Sequence, residues 1–163
     1  MKTRVVIALG ANLGDKEKTI SKAQKQIGKL RDVELVSVSS QYCSQAVTEQ
    51  GIDPNEPEYV NAVTIIETTL SAKKLLSRLN EIENKFGRVR STKWAARTLD
   101  LDIITFGASV VESKSLVIPH PRAFERAFVL VPWLEIDPEA VLTGVGPVSE
   151  LAKDMDSLVW AMP

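Results

Sequence analysis

The sequence predicts one α+β domain, a sandwich of βαββαβ order with long functional loops. Three observations carry that prediction. Stretches patterned for strands and for helices alternate in that order along the chain. The chain has 163 residues, enough to bury one core, and residues 1–163 are taken as a single domain. Apolar residues make up 44% and charged residues 25%, the balance of a globular rather than a disordered chain.

The elements follow in order. "RVVIALG" (Arg4 to Gly10) is rich in Val and Ile and stops at Gly, as a buried strand does. With its basic start, "MKTRVVIALGA" has the outline of a secretory leader. Its apolar run is at the short limit and breaks at Asn12 and "GDKEK", so the strand reading stands. Ile20, Ala23, Ile27 and Leu30 recur at helical spacing and predict an amphipathic helix. "VELVSVSS" (Val33 to Ser40) alternates imperfectly and reads as a strand. Gln45 to Glu58 is polar, with Gly and Pro, and reads as a long loop, which in a compact domain is more often functional than idle. "YVNAVTIIETTL" (Tyr59 to Leu70) is a β-branched strand. The next helix starts at Ser71 as its cap and ends at Gly87, with an apolar stripe of Leu75, Leu79, Ile82 and Phe86. A basic connector, Arg88 to Lys93, leads into the strand of "KWAARTLDLDII". "ESKSLVIPHPRAFERAFVLVPWLEI" reads as a short strand, a Pro-bounded turn and a helical piece; "VSELAKDMDSLVWAMP" reads as one more helix. This order is that of the ferredoxin-like sandwich, a fold that hosts many unrelated functions.

Formal net charge is -1, so no global field recruits nucleic acid or an anionic membrane. No apolar run approaches the roughly 18 residues of a membrane span. Cys43 is the only cysteine, which excludes a disulfide framework within the chain and fits a reducing cytoplasm.

The chemistry concentrates around "LDLDII". Strand alternation puts Leu99, Leu101 and Ile103 on one face and Asp100, Asp102 and Ile104 on the other. The two Asp Cα atoms then lie about 6.6 Å apart, close enough for their carboxylates to converge. Such a pair suits Mg²⁺, which takes oxygen ligands from one or two carboxylates and from substrate phosphates. The alternative is a solvent face or pairing with nearby arginines. Arg88, Arg90, Lys93 and Arg97 crowd upstream, with Arg122 and Arg126 downstream near His120, a set that suits a polyphosphate. Phosphoryl transfer needs little beyond positioning and positive charge. His120, the sole histidine, is either structural or a phosphate hydrogen-bond partner; one His cannot build a histidine-rich zinc site. Trp94 and Phe128 are core residues or stack on a planar ligand. Asn80 and Glu83 share a helix face beside the apolar stripe, suited either to a ligand contact or to solvent. The chain lacks a Walker A loop, a dinucleotide fingerprint, a nucleophile elbow, a kinase signature and the aromatic signature of an RNA-recognition sheet.

With "ALGANLGD", "EYVNAVTIIETTL", "IENKFGRVR", "KWAARTLDLDII" and "VIPHPRAFERAFVLVPW" in this order, the chain resembles the 6-hydroxymethyl-7,8-dihydropterin pyrophosphokinases of folate biosynthesis over nearly its whole length. The resemblance implies a ferredoxin-like fold, ATP as co-substrate, two Mg²⁺ ions, and transfer of the β,γ-diphosphate of ATP to the pterin hydroxymethyl group with release of AMP. It implies magnesium ligands at Asp100 and Asp102, and catalytic roles for these two with Arg88 and Arg97. Triphosphate contacts match Arg88, Arg90, Arg97, His120 and Arg126. Trp94 matches a loop aromatic that closes over ATP, and Asn80 and Glu83 lie where the family contacts the nucleotide. Pterin contacts match Tyr59, Asn61 and Phe128, together with the backbone of Ser44, Ala46 and Val47. The chain departs from the family pattern at Ala95-Ala96, where Gly-Pro is frequent, at Ser44-Gln45-Ala46 and at Pro121. The expected partners are ATP and hydroxymethyldihydropterin, with a monomeric, cytoplasmic chain and a neighbouring folate enzyme as the one protein partner to consider. Two rivals compete. "DLDII" loosely matches the nucleophile motif of haloacid-dehalogenase-type phosphatases, which requires a doubly wound sheet downstream. A non-catalytic ferredoxin-like binding module leaves the clustered Arg and Asp unexplained.

Overall fold

The computed structural model describes residues 1–48, 51–53, 58–86 and 98–162. The chain opens with strand β1 (Thr3–Ala11), helix α1 (Lys16–Gly28) and strand β2 (Val33–Val38). Three short strands follow, β3 (Tyr42–Ser44), β4 (Ala46–Thr48) and β5 (Gly51–Asp53), then the long β6 (Tyr59–Thr68), helix α2 (Ala72–Lys85) and β7 (Asp100–Phe106). The remainder holds β8 (Val111–Glu112), β9 (Val117–Ile118), α3 (Ala127–Ile136), β10 (Val141–Leu142), β11 (Gly146–Pro147), the single turn α4 (Val148–Leu151) and β12 (Val159–Ala161).

The main sheet has the order β12-β3-β6-β1-β7, with β2 pairing β6 further along the same side as β3. All its pairings are antiparallel. The fourth long strand beside the first, and the first beside the third, is the ferredoxin-like order that βαββαβ predicts. It is incompatible with the parallel, doubly wound sheet that the phosphatase reading requires.

Strand alternation divides the core between the two sheet faces. Val5, Ile7, Leu9, Leu101 and Ile103 pack against Ile20, Ala23 and Ile27 of α1 and Leu75, Leu79 and Ile82 of α2, the stripes that the helical spacing predicts. Val6, Ala8, Val63, Ile65 and Ile104 form a second core with Leu130 and Trp133 of α3. Ser71 caps α2 as expected, its side chain accepting from the Lys74 N–H at 3.2 Å. Asp15 does the same for α1 through the Lys18 N–H. No helix among the described residues is long and apolar enough to cross a membrane.

Three elements differ from expectation. β1 runs through Gly10 to Ala11, because β6 and β7 hydrogen-bond it on both sides and carry it past the glycine. The long loop holds the small β4–β5 ribbon. The tail forms only the single turn of α4; its last residues instead extend the sheet, with Val159, Trp160 and Ala161 opposite Ser44, Cys43 and Tyr42.

Ile7 has no exposed surface at the centre of β1. Ile7→Ala is expected to lower stability by about 2–5 kcal/mol, read from the urea midpoint at unchanged m-value.

Candidate active site

The face of the sheet toward α3 is not apolar along its whole length. Tyr42, Asn61, Gly10 and Asp100 stand in one cross-strand row, and Val63, Ala8 and Asp102 in a parallel one. Directly opposed residues share a face, so Asn61 and both aspartates look to the same side, joined by the opposed pair Ser44 and Tyr59. Between them β1 supplies only Ala8 and Gly10, which leaves a cleft of about 670 Å³. Its floor is β1, one wall is Ser44, Tyr59 and Asn61, and the other is Asp100 and Asp102. Tyr59 and Asn61 on β6 and the aspartates on β7 belong to strands two places apart, about 9–10 Å, with Ser44 one strand further out. A Cβ at Gly10 would stand 3.5 Å from Asn61 Oδ1 and 3.6 Å from the Tyr59 ring, within the space a ligand would take.

His120, Arg122 and Arg126 from the segment leading into α3, and Phe128 from its first turn, complete the cleft. The Arg126 guanidinium lies 5.5 Å from the centroid of the half-buried Phe128 ring, a cation–π distance. Burial lowers the Arg126 pKa, and attraction to Asp102 and Asp100, which line the same cleft, works the other way. The Arg122 Nε donates to Glu125 at 2.6 Å. His120 is tethered to β7, its backbone N–H donating to the Ile104 carbonyl at 2.9 Å. Burial and the neighbouring Arg126 and Arg122 charges push its imidazole pKa down to about 4. The Arg122 N–H donates to His120 Nδ1 at 3.2 Å, so the neutral ring carries its proton on Nε2.

A second cleft of about 250 Å³ runs along the free edge of β7, lined by Leu76, Leu101, Ile103 and the β8–β9 hairpin. It shares Asp102 and His120 with the larger cleft. Glu83 walls neither of them. Its carboxylate is 2% exposed and accepts from the Leu101 N–H at 2.8 Å, between the two aspartates on the free strand edge. Asn80 also lies outside both clefts.

The structure thus brings together Ser44, Tyr59, Asn61, Asp100, Asp102, His120, Arg126 and Phe128. Ala46 and Val47 sit on β4, just beyond Ser44. Arg88, Arg90, Trp94 and Arg97, with Ala95-Ala96, lie outside the described residues. The sequence reading missed the floor at Ala8 and Gly10 and the rim formed by Leu158, Val159 and Trp160. The signal for the floor was small residues in the middle of an otherwise bulky strand.

Fold and cleft define a ferredoxin-like domain in which a paired carboxylate on the sheet face meets a half-buried arginine and an aromatic ring from the start of α3. The chain belongs to the 7,8-dihydro-6-hydroxymethylpterin-pyrophosphokinase (HPPK) family, whose model matches residues 6–138. It is 44% identical over 147 residues to the 2-amino-4-hydroxy-6-hydroxymethyldihydropteridine pyrophosphokinase of Haemophilus influenzae, covering 90% of this chain and 89% of that protein. The protein of the same name from Synechocystis is 38% identical over 157 residues, covering 95% and 78%. Among solved structures, Plasmodium falciparum HPPK-DHPS shares the fold with a TM-score of 0.73 at 12% identity. The match covers 96% of this chain and 43% of that one, so the chain spans less than half of that solved protein.

Two outcomes follow from this geometry. Glu83→Ala strands the buried Leu101 N–H and should cost about 1–3 kcal/mol by denaturant unfolding, whereas Glu83→Gln keeps an acceptor and should cost less. In the ligand-free protein the His120 ring should stay neutral, in its Nε2–H form, from pH 8 to 5 by NMR. The folded state refuses a proton that the unfolded chain accepts near 6.5, so stability should fall as pH drops from about 6.5 toward 4.

Proposed function

We propose that the chain transfers the β,γ-diphosphate of ATP to the hydroxymethyl group of 6-hydroxymethyl-7,8-dihydropterin, releasing AMP, as a magnesium-dependent single-domain enzyme of folate biosynthesis. The observation that carries the reading is the aspartate pair opposite Arg126 in a cleft that also holds Tyr59, Asn61 and Phe128. Family membership makes the pterin the natural occupant of that cleft.

The donor set fits Mg²⁺: two hard carboxylates on one strand face, with the remaining positions left to water and phosphate oxygen. Among the described residues no group of three or more His, Cys, Asp or Glu could hold a metal without a substrate's help. When bound, the ions supply positive charge to the oxygens of the transferred group.

The chain's own residues do the rest. Phe128 and Tyr59 offer aromatic faces to the pterin ring, and Asn61 offers its amide to the ring edge. This places the hydroxymethyl arm toward Asp100 and Asp102 at the far wall. Arg126 balances the carboxylates and, once phosphate arrives, binds its oxygens. His120 offers its Nε2–H to the same group. The smaller cleft, which meets the larger at Asp102 and His120, suits the nucleoside, so the phosphate chain spans the junction. The hydroxyl then attacks the β-phosphorus in line as AMP leaves. Fusion partners within the family, as in HPPK-DHPS, support a second folate enzyme as the consumer of the product.

Asp100→Ala should cut AMP formation from ATP and hydroxymethyldihydropterin by roughly 10²–10³-fold or more, in a discontinuous assay for AMP. Full activity in that variant would sink the metal assignment. Pterin-independent AMP release by the unaltered chain would sink the substrate assignment.

A further inference from the structure

The orientation of one buried carboxamide carries a conclusion that rests on the pterin reading and deepens it. Asn61 is 2% exposed and Ser44 is 4% exposed, yet both line the large cleft. Asn61 Nδ2 donates to Ser44 Oγ at 2.7 Å and to the Tyr42 carbonyl at 3.4 Å. No donor among the described residues is bonded to its Oδ1, which stands over the floor 3.5 Å from the Cβ position at Gly10.

A carboxamide has two orientations, and a hydroxyl tolerates either because it donates as well as accepts. The Tyr42 carbonyl does not. It only accepts, so it repels Oδ1 and draws Nδ2 to its side. Ser44 then converts that preference into a fixed geometry through the shorter bond. The Ser44 backbone is fixed between two strands, paired to Tyr59 on one side and Val159 on the other. We propose that Ser44 is a positioning residue for substrate recognition: its hydroxyl, with the Tyr42 carbonyl, locks Asn61 so that only the Oδ1 acceptor faces the cleft. The site therefore takes a planar heterocycle that presents an N–H edge there. A ring that presents only an acceptor leaves Oδ1 buried and unpaired, and is rejected.

The test compares the unaltered chain with Ser44→Ala, the near-isosteric Ser44→Cys, Ser44→Thr and Asn61→Ala, each checked for an unchanged unfolding midpoint. Binding of hydroxymethyldihydropterin and of ATP is measured by calorimetry. Ser44→Ala and Ser44→Cys should weaken pterin binding about three- to tenfold with ATP binding unchanged, and Ser44→Thr should restore it. Adding Ser44→Ala to Asn61→Ala should cost nothing more. Full additivity in the double variant, no rescue by Thr, or an equal loss of ATP binding would overturn the proposal. Hydrogen exchange of the Asn61 side-chain amide in the ligand-free protein gives an arm independent of any substrate. Slow exchange that accelerates in Ser44→Ala supports the lock, and fast exchange in the unaltered chain overturns it. If the lock is present but the pterin does not bind, the substrate reading fails and the positioning role stands.

Discussion

Gly10 opposite Asp100, Leu9 opposite Leu101 and Ala8 opposite Asp102 set the register of β7 on β1, and the placement of the aspartate pair depends on it. Side chains alternate along a strand, so a slip of one residue exchanges its two faces completely. Leu101 and Ile103 would then leave the core they share with α1 and α2, and both aspartates would enter it. The penalty for burying two unpaired carboxylates there far exceeds any local preference. Hydrophobic burial on one face thereby aims the carboxylates on the other. A shift between Val6 and Ile7 in the pairing of β1 with β7 marks where the two strands depart from strict opposition, beyond the aspartates rather than among them.

The charges of the cleft then determine one another. Two carboxylates of the same sign across a single residue repel, and the half-buried Arg126 attracts both. Its position at the N-terminal boundary of α3 adds the positive end of a helix dipole. A further cation would overload this face. The imidazole of His120, between Arg126 and Arg122 and partly dehydrated, accordingly stays neutral and offers a hydrogen-bond donor instead. Among the described residues, positive charge in the cleft thus comes from Arg122 and Arg126 rather than from the imidazole.

The long elements were legible because they are long. Leu75, Leu79 and Ile82 recur over enough turns to identify α2, and the Leu–Asp alternation identifies the two faces of β7 without help from the fold. Short pieces carry no such period. β12 has three residues, and nothing local distinguishes "VWA" from the end of a helix; its conformation comes from pairing with β3, more than a hundred residues away in sequence. Gly10 misled in a related way, since a glycine normally ends a strand, whereas here partners on both sides carry β1 through it. Glu83 stood beside an apolar stripe where solvent or a ligand was the natural expectation. One partner it has in the fold, the Leu101 N–H, is available because β7 is the last strand of the described sheet, and that position is a property of topology rather than of the residues around Glu83.

That edge explains why both clefts can coexist. A further strand on β7 would satisfy its outer polar groups and fill the smaller cleft at the same time. Among the described residues no strand lies beyond β7, and an open edge exposes backbone donors and acceptors to chance pairing with other chains. The structure closes these groups singly. Glu83 accepts from Leu101 and the His120 N–H donates to Ile104, so the β7 backbone is satisfied at two points by partners that leave the cleft open beside them. One of those partners also brings its imidazole to the junction of the two clefts. The contact that finishes the sheet edge is therefore the same contact that positions a polar group where the two clefts meet. Within the proposed reaction, ring recognition falls to the sheet face, nucleoside recognition to its edge, and Asp102 and His120 stand where the two meet.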